Sequence, residues 1–478
     1  MRDMKMEGVS ISIFRKAACM TAAVSMFAFA VGAADDDMNK SAFNKDPYPS
    51  TYEPRPSADY TLIQNATVLT GTGEQLDNAS ILIEKGKIKA VGQNIEAPAG
   101  AIVVDASGKW VTPGIIDVHS HLGAWGNPGG ALLYDGNEMV RPVTADVWVE
   151  HSLWMQEPGY ARALEGGVTT LQILPGSGNL IGGRGVTLKN VYSTTREGMK
   201  FPGAPYSLKM ACGENPKRFY GTRGGPSTRM GNQAGYRKAW IKAQSYKESW
   251  DEYEADVVAG KEDAKKPTRD LELDTLAGVL SGEILVHNHC YRADEMATMI
   301  NMSKEFGYKI STFHHAVEAY KIKDLLKDEE ICSAMWADWW GFKMEAFDGI
   351  EENVPMVAKA GACAIVHSDD DLGIQRLNQE AAKAWADGKR AGIDFTKGEV
   401  MTWITLNAAK AIGVADQTGS LEEGKMADVV VWNGDPFNSY TLTDKVYIDG
   451  ALMFDRANPD TLRQGDFETG YVTKGAHQ

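Results

Sequence analysis

The sequence predicts an α/β protein: a (β/α)8 TIM barrel with a small β-sandwich formed from both chain ends. Three observations predict it. Eight short apolar strand signals, separated mostly by amphipathic helices, fill residues 113–416. Two half-sets of short alternating strands, in residues 58–112 and 417–458, flank that middle. Most of the histidines fall at the ends of the middle strands, where a barrel of this kind gathers its chemistry.

The ends of the chain read differently from the rest. Arg2, Lys5, Arg15 and Lys16 precede an apolar stretch, Ala17–Ala34, that closes on small residues, the layout of a secretory signal peptide over 1–34. The expected address is periplasmic or secreted, with no membrane span left after processing. Residues 35–57 are polar and proline-rich and read as a flexible linker, and 459–478 as a C-terminal tail. A formal net charge of −15 argues against nucleic acid or an anionic membrane as a partner. After cleavage four cysteines remain, Cys212, Cys290, Cys332 and Cys363, without framework spacing, and they read as buried free thiols.

Taken in order, YTLIQNATVLT, ASILIEKGKIKAVG and AIVVDASGKWV alternate as strands, with a hairpin turn at Glu84–Lys87. ADVVVWNGDPF and KVYIDGALMFD repeat that texture near the other end. The barrel strands are expected at Gly114–His119, Val168–Leu174, Val186–Val191, Ser207–Ala211, Glu283–His287, Lys309–His314, Ile331–Trp336 and Ala362–His367. Helical periodicity is clear in RADEMATMINMSKEF and EAYKIKDLLKDEE. The polar stretch 234–266 reads as a helical surface excursion or lid, and GSGNLIGGRG as a substrate-facing loop.

The chemistry is carried by VTPGIIDVHSHLG. His119 and His121 lie two apart, so an extended strand points both imidazoles to one side, where they can meet one metal ion. Of nine histidines, His119, His121, His287, His289, His314, His315 and His367 end predicted strands, and Asp369 follows the eighth. A barrel brings those ends together, which predicts a metal centre.

With EGGVTT, ILVHNHCYRADE, VHSDD and TGSLEEGKMADVVVW, this stretch resembles the amidohydrolase superfamily, in particular bacterial imidazolonepropionase-like amidohydrolases, from about Tyr60 to Arg456. The resemblance implies metal ligands at His119, His121, His287, His315 and Asp369, and a carboxylated lysine between two metals at Lys209, with Lys189 as a weaker rival. An ion pair with Glu214 is the plain alternative for Lys209. The His314–His315 doublet leaves the sixth-strand ligand open by one residue. His289, an extra imidazole, is assigned to substrate, as are Arg229 (with Arg223 beside it) for a carboxylate and Trp336 as a pocket wall. Core packing serves equally for Trp336, and a solvated loop for Arg229.

The implied activity is metal-dependent hydrolysis of a C–N bond in an amide, cyclic amide or short peptide. Zinc, as one or two divalent cations, would activate water, and Asp369 would act as the catalytic proton shuttle. Deamination of a ring C–N bond is the alternative within the same scaffold, and a non-catalytic metal- or ligand-binding protein the alternative outside it. The sequence leaves a homo-oligomer open.

Overall fold

The computed structural model describes residues 46–127 and 129–458. The signal peptide and the C-terminal tail lie outside the described residues. The strands form two eight-stranded sheets. One holds the chemistry: β1 (Ile115–Ser120), β2 (Val168–Ile173), β3 (Ile181–Lys189), β4 (Ser207–Ala211), β5 (Leu285–Cys290), β6 (Ile310–His315), β7 (Cys332–Met335) and β8 (Ala364–Val366), hydrogen-bonded in sequence order.

This curled sheet departs from the expected barrel in two ways. β3 runs antiparallel to both β2 and β4, because only a short loop and no helix returns the chain after β2. In addition, β1 and β8 share no ladder. Their seam is bridged by other contacts: Val366 N–H donates to the Trp403 carbonyl, Ile116 N–H to that of Ile404, and Asp369 N–H to that of His119. The glycine-rich stretch read as a substrate loop lies partly inside β3. A Cβ on Gly185 would come within 2.8 Å of the Ile173 carbonyl, so the glycine serves close strand approach.

The second sheet joins both chain ends. Tyr60–Leu69, Gln75–Glu84, Lys87–Gly92, Ile102–Asp105 and Trp110–Pro113 are joined by Val429–Trp432, Thr443–Ile448 and Ala451–Asp455. Trp110–Pro113 pairs in parallel with Tyr60–Leu69 and antiparallel with Val429–Trp432, so the two half-sets join in one hydrogen-bonded sheet, whose Ile81, Ile83, Val429 and Val431 share a buried core. The hairpin at Lys85–Gly86 needs its glycine: φ is +81° there, and a Cβ would lie 2.7 Å from the Asp449 carbonyl.

Three further expectations are corrected. Residues 46–52 of the linker are anchored, with Asp46 on Lys200 at 2.8 Å and the Tyr52 hydroxyl on Asp449 at 2.5 Å. The polar insertion is a 30-residue helix, Arg229–Val258, capped by Thr228, whose Tyr236, Trp240, Tyr246 and Trp250 are buried. It is a packed wall and no lid. The cysteines are disulfide-bonded, Cys212–Cys290 and Cys332–Cys363. They are far apart in sequence, but each pair spans neighbouring strands, which spacing alone does not reveal.

Candidate metal centre and active site

All seven strand-end histidines meet inside the curled sheet, at the end where the parallel strands terminate. β1 sends Ile116 and Val118 to one face and Asp117 and His119 to the other, the two-residue period of a strand. Asp117 accepts from the His119 and Ser368 backbones, each at 3.2 Å, and from the Ser368 hydroxyl at 2.5 Å, tying β1 to the turn after β8.

Asp369 stands in that turn with φ +51°. Its Oδ1 lies 3.4 Å from His119 Nε2 and 3.2 Å from His121 Nε2, and its Oδ2 3.9 Å from His315 Nδ1. Burial pushes its pKa up, but the His121 hydrogen bond and the charges of His121, His367 and Lys209 hold it below the ordinary carboxylate value. His121 Nδ1 is 2.8 Å from the Leu174 carbonyl, which only accepts, so Nδ1 carries a proton. Lys209, on β4, is buried with Nζ 3.2 Å from His119 Nε2. Burial lowers its pKa to about 7. Glu214 pairs with Lys343 instead, at 3.7 Å, and Lys189 is ion-paired with Asp449 at 2.6 Å.

A second group stands beside the first. His119, His315 and His367 present ring nitrogens within 4.8 Å of one another, as do His119, His121 and Asp369 with their own donor atoms. The His289 ring is centred 4.5 Å from His315. His289 Nδ1, His315 Nδ1 and both nitrogens of His367 are buried without a hydrogen-bond partner. Bare imidazole nitrogens converging beside a carboxylate and a buried lysine are the donor set a divalent cation requires, so these residues fit a metal.

The doublet resolves by backbone. In a regular strand His314 and His315 would face opposite ways, but φ of +69° at His315 and +39° at Ala316 turns the chain. His315 thereby joins the cluster. His314 sits behind it, between His119 and His287. Neither fifth-strand histidine, His287 nor His289, is in either group of donors. His287 Nδ1 faces His314 Nε2 at 2.8 Å and its Nε2 faces Gln172 at 3.5 Å. The fifth-strand residue beside His315 is His289. His367 also belongs to the cluster; its signal was its place two residues before Asp369.

The remaining expectations divide. Trp336 is at the site, stacked on His315 at 4.3 Å and on Trp339 at 5.1 Å. Arg229 is exposed and paired with Asp294 at 3.1 Å, away from the histidines. A cavity of about 320 Å³ opens on the cluster between His121, Trp125, Tyr134, Asp369 and Asp371. A larger one, about 750 Å³, lies at the opposite strand ends between Ile284, Tyr308, Lys327 and Lys410, with none of the histidines.

A curled α/β sheet with HxH at the end of its first strand and Asp after its last is built to hold a metal ion, and comparison with known proteins gives its class. Residues 248–454 match the Amidohydrolase family. An amidohydrolase from Thermotoga maritima MSB8 superposes with a TM-score of 0.75 at 35% identity, over 83% of this chain and 100% of that one. The chain belongs to the amidohydrolase family. Amidohydrolase tasK of Hapsidospora irregularis is 31% identical over 83% of this chain, which spans 43% of that relative's length. Imidazolonepropionase of Fusobacterium nucleatum subsp. nucleatum is 26% identical over 79% of this chain and 92% of its own.

Proposed function

We propose that this chain is an exported, metal-dependent hydrolase of an amide, cyclic amide or short peptide. The observation that carries the reading is the convergence of His119, His121, Lys209 and Asp369 on one point, with His289, His315 and His367 as further bare donors beside it. His119, His121, Lys209 and Asp369 would hold one divalent cation, zinc by its nitrogen-rich donors, and Lys209, His289 and His315 a second. A cation there would polarise the scissile carbonyl and acidify water.

The protein groups do the rest. Asp369, kept ionised, takes a proton from the attacking water and passes it to the leaving nitrogen. Lys209 as a neutral amine is the form that adds carbon dioxide: the nitrogen–carbon bond forms, a proton leaves to solvent, and the resulting anion can sit where an ammonium could not. His315, held flat by Trp336, borders the space where the carbonyl oxygen would lie. The His121–Trp125–Tyr134 cavity would take the substrate body. Export is supported by the basic-then-apolar start and by two disulfides, which persist in oxidising compartments.

The test is metal analysis of the purified protein, followed by a turnover screen of dipeptides, N-acyl amino acids and cyclic amides. Protein holding one or two equivalents of metal and turning over one of these classes is expected. Metal-loaded protein inert toward all three would overturn the reading.

A further inference from the structure

We infer that the stretch 336–349, which follows β7, is the surface that receives a large apolar group of the substrate, either aromatic or long aliphatic. The inference rests on the proposed hydrolysis of an amide at the histidine centre, and narrows it to amides carrying such a group.

Two columns of rings run from the centre to the surface. His315, Trp336 and Trp339 stack in turn, with centroids 4.3 and 5.1 Å apart. His289, Tyr291 and Phe342 form the second column, at 4.8 and 6.3 Å. Phe342 also meets Trp336 edge-on at 5.8 Å, which joins the two columns. The inner rings are buried and the outer ones are not: Trp339 is 41% exposed and Phe342 55%. Trp340, Met344 and Phe347 are exposed as well. His315, Trp336, Trp339 and Trp340 line one cleft, so the exposed rings are continuous with the site.

Single apolar side chains scattered over a surface need no explanation. Five large ones within nine residues, tied together by ring contacts, are a patch, and such a patch marks a binding surface. Its charges do not compete for the occupant. Asp338 pairs with Lys383 at 2.9 Å and Asp348 with Lys321 at 2.9 Å. Lys343 sits 4.0 Å over the Tyr291 ring and pairs with Glu345 at 3.4 Å. All four charged side chains of the stretch are thus ion-paired.

The other side of the centre has the opposite character. The cavity beside His121 is lined by three consecutive aspartates, Asp369 to Asp371, and Asn127. At about 320 Å³ it is near the lower end of the roughly 300–1,000 Å³ that ligand pockets occupy. It suits a small polar half of a substrate. An apolar half lies across the centre, on the ring columns. Asp369 Oδ2, 3.9 Å from His315 Nδ1, marks where the two sides meet. Trp339 and Phe342 are therefore specificity-determining residues, remote from the reacting atoms.

The experiment uses the full-length protein, metal-free for binding and zinc-loaded for turnover. Isothermal titration compares N-octanoylglycine with N-acetylglycine, and glycine N-octylamide with glycine N-ethylamide, because the apolar group can stand on either side of the amide. A fully buried methylene is worth about fourfold in binding, and a half-covered one about twofold. In at least one pair the longer member should therefore bind the wild type about 10–100-fold more tightly. Trp339→Ser and Phe342→Ser together should bring that ratio to about threefold or less, while Trp339→Phe should keep most of it. Melting curves report folding; if the double variant is unfolded, the wild-type ratio and Phe342→Ser alone decide. Equal binding of long and short members by the wild type, or a ratio that survives in the folded double variant, overturns the inference. So does a dimer, seen by sedimentation, that Phe342→Ser dissociates and that shows no chain-length preference, since a second copy would then own the face. Turnover separates the inference from the reading beneath it. Cleavage of long and short members at equal kcat/KM keeps the hydrolase and defeats the apolar surface. A binding ratio lost in the double variant, with no member cleaved, upholds the surface and defeats hydrolysis of these amides.

Discussion

Trp336 lies over His315 with ring centroids 4.3 Å apart and planes 23° from parallel, and its indole N–H donates to the Ser368 carbonyl at 3.1 Å. One side chain thus holds the end of β6 against the turn that carries Asp369. Trp336→Phe keeps a ring over His315 and should lose only several-fold in kcat. Trp336→Ala should cost about 3–5 kcal/mol of stability and about 10²-fold in kcat, since misplacing a reacting group by about 1 Å costs that much. Steady-state kinetics with urea unfolding check both. Full activity in folded Trp336→Ala would remove it from the site.

Asp369→Asn is a clean substitution because Asn tolerates the left-handed backbone at φ +51°. Loss of positioned acid–base catalysis should lower kcat about 10²–10⁴-fold while KM changes little. Metal content and kcat measured on the same preparation check it; a wild-type rate excludes the proton-shuttle role.

His289→Ala should lose bound metal, because its partnerless Nδ1 is buried beside His315. Arg229→Ala should leave kcat and KM within about twofold, since an exposed ion pair is worth about 0–1 kcal/mol. Elemental analysis of the first and kinetics of the second check these outcomes.

In the metal-free chain Lys209 has a pKa of about 7 against 10.5 for free lysine. Unfolding then takes up a proton between those two values, so stability rises with pH across that window. The slope is at most about 1.4 kcal/mol per pH unit. Lys209→Met should flatten it. Urea titrations at pH 7, 8 and 9 compare the two, and parallel curves would mean that Lys209 is not a neutral amine.

Reduction should destabilise the protein. Cys212–Cys290 closes a separation of 78 residues and Cys332–Cys363 one of 31. Chain entropy alone gives about 4.5 and about 3.7 kcal/mol for loops of those lengths. A lower melting temperature with reductant is expected, and one unchanged would mean the thiols are free in solution.

The limits of sequence reading follow from particular residues. The strands of the curled sheet were legible where they are short apolar runs bounded by turn residues, as was the gathering of histidines at their ends, but the first half of β3, Ile181 to Gly185, reads as a loop. The reversal of β3 was not legible, since an apolar run has no direction. His287 and His289 share the same alternating phase, so nothing in the sequence says which reaches the cluster. His315 departs from alternation through a positive φ that no residue type there announces.

Trp110–Pro113 has one partner strand already made, Tyr60–Leu69, and one still to come, Val429–Trp432. A ribosome adding about 5–20 residues per second delivers that second partner roughly 15–60 s later. For that interval the nascent chain carries an open strand edge, the feature through which copies pair with one another. A product truncated before Val429 keeps that edge unpaired for good.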